Sequence, residues 1–127
     1  MAESTIPGIP ATVTLDVYSG RPNPSWTISA ALTAEALRRI RALEPAAASE
    51  ETPDALGYRA VRLDARPEGV ETSVTVGGGV VVFVQGQKTQ HFRDRGRALE
   101  KWLVETGEAH LAPDLLRHVM DEIAKKR

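Results

Sequence analysis

Cysteine is absent from the 127-residue sequence, which excludes disulfides, thiolate metal sites and a cysteine nucleophile. The expectation that follows is a reducing, cytoplasmic setting. Long apolar runs are also missing. The longest, Val80 to Val84, falls far short of the roughly 20 residues a bilayer-spanning helix needs. The opening Met1-Ala2-Glu3-Ser4-Thr5-Ile6-Pro7 has no basic stretch and no apolar stretch, so no signal peptide is expected and the protein should be soluble, away from membranes. There is no excess of either charge. Sixteen basic against seventeen acidic side chains leave a net charge of −1, so no global field draws in nucleic acid or an anionic lipid surface. A Gly-x-Ser-x-Gly elbow is missing too, and Ser19, Ser25, Ser29, Ser49 and Ser73 all sit where turns and strands account for them. Paired carboxylates would have to be assembled by the fold from Asp16, Glu71 or Asp94.

What is present reads as one domain. A chain of this length buries roughly two thirds of its unfolded surface, enough for a core without staples. Residues 1–10, with Pro7 and Pro10 around Gly8, read as a loose leader. From Thr12 to Tyr18 apolar Val13, Leu15 and Val17 alternate with polar neighbours, the period of a half-buried strand. Pro22 and Pro24 make 19–25 a stiff loop, and Trp26–Ser29 is expected to pair back as a short strand. Thr33 suits an N-cap for a helix reaching Leu43, with Leu32 and Leu37 spaced as a hydrophobic staple. Arg38, Arg39 and Arg41 fall on its outer side, and residues 44–55 form a polar connector.

Strands are expected at Tyr58–Leu63, Val70–Val76, Val80–Val84 and near Thr89–Phe92. Gly77-Gly78-Gly79 supplies one hairpin turn and Gln85-Gly86-Gln87 the next. Asp94 then caps a helix to Thr106 with Gly107 at its C′ position, and Pro113 opens a last helix striped by Leu115, Leu116, Val119, Met120 and Ile123. Strands and helices do not alternate as in a doubly wound fold. The order predicts a single α+β domain over 11–127, a mostly antiparallel β-sheet with three α-helices packed on one face.

Candidate sites are few. The triple glycine opens into a strand with no Lys-Ser/Thr after it, so it reads as a hairpin and not as a phosphate cradle. Asp114, His118 and Glu122 share a face at one-turn spacing, but it is the solvent face, and no metal or other cofactor is expected. His91 with Asp94 could act as acid and base in a small hydrolase or lyase, although nothing marks a nucleophile for them to activate. Lys88, His91, Arg93, Arg95 and Arg97 around Phe92 form a basic cluster that could hold nucleic acid or another anion. The near-zero net charge weighs against nucleic acid. The loop from Ser19 to Trp26 would present Arg21 and Asn23 with little ordering entropy left to lose, as a recognition loop requires, or it is a rigid crossover whose Trp26 plugs the core.

The run Leu15-Asp16-Val17-Tyr18-Ser19-Gly20-Arg21-Pro22-Asn23-Pro24-Ser25-Trp26 resembles the opening of a group of small uncharacterised bacterial proteins. Leu56-Gly57-Tyr58-Arg59, Phe92-Arg93-Asp94 and Arg97-Ala98-Leu99-Glu100-Lys101-Trp102-Leu103 are similar to their later segments, with the three glycines as a departure. The resemblance implies a self-contained domain and no particular chemistry. The leading expectation is a non-catalytic interaction module, holding a protein partner or a small anionic ligand through Arg21, Asn23, Trp26, Tyr58, Arg59, His91, Arg93 and Asp94. Exposed sheet edges would also suit a homodimer.

Overall fold

Apolar–polar alternation from Ala11 onward builds the first strand, β1 (Ala11–Asp16), whose Val13 and Leu15 point into the core. In the computed structural model, which describes residues 10–18, 22–47, 60–66 and 69–125, β1 pairs antiparallel with β2 (Ser25–Ile28), setting Val13 opposite Trp26. Ser29 does not extend β2 as expected. Its hydroxyl oxygen accepts the Leu32 N–H at 3.1 Å and caps α1 (Ala30–Arg41), which therefore begins ahead of Thr33. Thr33 is buried within the first turn and donates to the Ser29 carbonyl at 2.9 Å, while Leu32 is exposed and cannot staple the buried Leu37.

After α1 a two-residue strand, β3 (Glu44–Pro45), pairs with the last strand of the sheet. The remaining strands form a meander: β4 (Ala60–Ala65), β5 (Thr72–Gly77), β6 (Val80–Gln85) and β7 (Lys88–Arg93). Gly78 and Gly79, at φ +61° and +88°, make the two-residue turn between β5 and β6, the conformation that only glycine adopts without strain. All pairings are antiparallel, and the strand order is β2-β1-β4-β5-β6-β7-β3. One edge is four residues long. The other is two residues long and carries Pro45, which has no N–H to offer another strand.

Asp94 follows β7, and a 3-10 turn (Arg95–Arg97) leads into α2 (Ala98–Glu105). The helix expected as one piece is interrupted because Gly96 and Arg97 both adopt the left-handed conformation, at φ +63° and +56°. Leu99, Leu103 and Val104 face the core, whereas Ala98 is exposed and Trp102 half-buried. Pro113 opens α3 (Pro113–Lys125), and Val119 and Ile123 are buried along its stripe. The three helices bring Leu37, Ile40, Leu103 and Val119 against Val13, Leu15, Leu63, Val74 and Phe83 of the sheet in one apolar cluster. The expected α+β architecture is the observed one. No helix among the described residues is long and apolar enough to cross a membrane.

Candidate anion-binding site

The first cluster expected from sequence divides between distant parts of the sheet. Asn23 and Trp26 belong to the β1–β2 hairpin at one edge, while His91 and Arg93 lie on β7, five strands away. At about 4.8 Å per strand this is roughly 24 Å along the sheet. Asn23 turns inward on its own loop, where its Oδ1 accepts the N–H groups of Val17 at 3.0 Å and Tyr18 at 2.7 Å. Trp26 is buried and donates from Nε1 to the Thr106 hydroxyl at 2.9 Å. Of the two readings of this loop, the rigid crossover with a core-filling tryptophan describes both side chains. Arg21, Tyr58 and Arg59 lie outside the described residues.

The basic cluster of 88–97 is divided by the pleat of β7. Phe92 points into the core and packs edge-on against Phe83 at 6.3 Å between ring centres, so it has no face to offer a base. Arg97 is buried in a two-pronged ion pair with Glu100, both contacts at 2.7 Å. Lys88, Arg93 and Arg95 are exposed. His91 alternates with Phe92 and stands beside Val82 on the face away from the core, half-buried. Asp94 is only 2 % exposed, and its two carboxylate oxygens accept the N–H groups of Leu99 at 2.8 Å and Glu100 at 3.0 Å. Burial pushes its carboxyl above the ordinary range, against the opposing pull of those two N–H groups and of Arg97. His91 and Asp94 thus do not converge as an acid–base pair.

Two arginines of the cluster instead line a cleft with two from a different segment. The last turns of α1 carry Arg38, Arg39 and Arg41, where cations complement the negative end of the helix dipole. The chain then turns at Ala42 and Leu43 into β3, which lies against the end of β7 where Arg93, Asp94 and Arg95 lead into α2. Between these segments opens a cleft of about 440 Å³. Arg38, Arg39, Arg93, Arg95, Glu44 and Asp94 line it, together with the apolar residues Ala42, Leu43, Ala98 and Leu99.

The guanidinium groups are braced from within. Glu35 accepts from Arg38 through Nε at 3.2 Å and from Arg39 through Nε at 2.8 Å. Those hydrogen bonds, Arg38 first, hold the Glu35 carboxyl below its usual range, and Glu35 in turn raises Arg38. The Arg39 guanidinium also lies 4.4 Å from the centre of the Trp102 ring. Arg95 donates to Glu44 at 2.8 Å in a pair whose cation is 76 % exposed, the kind of contact water and salt weaken most. The cleft has the chemistry to hold an anion. Among the described residues no group of histidines and carboxylates is placed to hold a metal ion.

Sequence reading placed Arg38 and Arg39 on a solvated face and missed Leu43 and Glu44. No spacing rule joins 38–44 to 93–99; only the pairing of β3 with β7 does. No protein-family model matches this chain, and neither a curated protein nor a solved structure does so.

Proposed function

We propose that the protein is a non-catalytic binding module that holds a small anionic ligand in the arginine cleft between the end of α1 and the start of α2. The observation that carries this reading is that four arginines from two chain segments line one concavity, with Glu35, Glu44 and Asp94 as the carboxylates beside them. Asn23 and Trp26 commit their polar atoms to the fold, which shifts the binding role from the proline loop to the basic cluster. The absence of cysteine supports a cytoplasmic setting.

Inorganic phosphate and citrate, titrated while the melting temperature is followed, test the reading. Each should stabilise the folded chain in proportion to occupancy, and added sodium chloride should weaken the effect. Arg38→Gln with Arg95→Gln should lower affinity at least about tenfold, the loss of about 1.4 kcal/mol of charge-assisted hydrogen bonding. Glu44→Gln should raise affinity, because it removes a carboxylate that competes for Arg95. Equal binding by wild type and the double variant would refute the assignment.

A further inference from the structure

Resting on that reading and narrowing it, we infer that the ligand is an amphipathic carboxylate, a single carboxylate head on a short alkyl or aryl body. The lining of the cleft combines two chemistries. Arg38, Arg39, Arg93 and Arg95 are among its lining residues, and two carboxylates of the chain already engage three of them: Glu35 on Arg38 and Arg39, and Glu44 on Arg95. These contacts are the carboxylate–guanidinium pairing that a ligand head would also make.

Asp94, also in the lining, has both carboxylate oxygens taken by the N–H groups of Leu99 and Glu100, and the remaining lining residues offer no side-chain polar atom. Leu99 is buried, Leu43 is half-buried against the core, and Ala42 and Ala98 end at a methyl group. The Ala42 N–H is already given to carbonyls of the last turn of α1, so the helix end adds no donor there. A fully hydrated ion such as phosphate would leave this apolar surface facing water. A carboxylate with an apolar tail covers it while the head meets the arginines, and about 440 Å³ suits such a molecule.

The chain length of the ligand is the measurable variable. Acetate, butyrate, hexanoate and octanoate, titrated calorimetrically against the full chain, should bind with affinity rising about fourfold per methylene until the apolar surface is filled. Hexylamine, with a comparable tail and the opposite charge, should not bind. Ala98→Leu, which fills the apolar lining from an exposed position, should flatten the chain-length series. Phosphate binding with no gain from acetate to octanoate would overturn this inference and leave the anion site standing. Failure of phosphate and of every carboxylate would overturn both. Binding of hexylamine as tightly as hexanoate would overturn the inference by removing charge from recognition.

Discussion

The indole of Trp26 lies against the backbone of Gly107 so closely that a methyl group there would sit 2.5 Å from Cε2 and 2.6 Å from Cη2. Gly107 adopts φ −99°, a conformation open to any residue, so its glycine is required by the neighbouring ring and not by the backbone. Ordinarily a Gly→Ala change at such a φ stabilises by about 0.4–1 kcal/mol through the unfolded chain. Here Gly107→Ala should instead destabilise by about 1–3 kcal/mol, the cost of overpacking. Trp26→Phe, which loses the bond to Thr106 and trims the ring, should destabilise alone yet relieve part of the Gly107→Ala penalty. Urea denaturation of both single variants and the double variant measures the coupling, and additive effects would contradict it.

Asn23 acts as a clamp on its own loop. Removing its Oδ1 strands two backbone N–H groups, so Asn23→Ala should cost about 1–3 kcal/mol. A side chain free for recognition would instead let Asn23→Ala leave stability nearly unchanged. Asn23→Asp retains two acceptor oxygens and should keep most of the stability. Melting temperatures of the two variants separate the cases.

Asp94 gives a pH dependence of unusual sign for a carboxylate. Its folded pKa is raised, so between the ordinary value and the raised one the folded state holds more proton than the unfolded state. Stability attributable to Asp94 is therefore greatest below the ordinary carboxylate range and falls as pH rises through the raised value. The difference in unfolding free energy, wild type minus Asp94→Asn, should decline from acid towards neutral pH and then level off. A difference that rises with pH would mean that the two N–H bonds outweigh burial.

The buried pair of Arg97 and Glu100 should behave as a unit. The two side chains are 5 % and 0 % exposed, and Arg97 also donates to the Glu122 carbonyl at 3.5 Å, which links the start of α2 to α3. Glu100→Gln removes the two-pronged carboxylate from a buried guanidinium and should cost about 3–5 kcal/mol. Arg97→Met combined with Glu100→Leu should recover much of that loss. A double variant no more stable than Glu100→Gln alone would show that the charge pair is not the cause.

Much of the fold was legible in the sequence because it rests on local chemistry. Alternation located β1, two glycine turns fixed β5 to β7, and Pro113 marked the start of α3 to the residue. Boundaries slipped where a neighbour competes for the same role, as when Ser29 takes the cap that Thr33 could have filled. The sequence marks Asp94 as a cap, but its reach to Leu99 and Glu100 depends on a left-handed Arg97, which no propensity favours. The candidate cleft was not legible at all. It exists because two residues of chain, Glu44 and Pro45, pair with β7 and carry the arginines of α1 beside those at 93 and 95.

The strand order sets a sequence of assembly. β4 to β7 join through short turns and can zip together from neighbouring residues, whereas β1 must find β4 across the whole intervening stretch that holds β2, α1 and β3. Loop closure over such a span loses entropy before any contact rewards it, so the meander should nucleate and the amino-terminal hairpin should dock late. Val74→Ala would then slow folding, while Val13→Ala would chiefly hasten unfolding. The arginine cleft, which needs both α1 and β7 in place, would be among the last features of the native state to form.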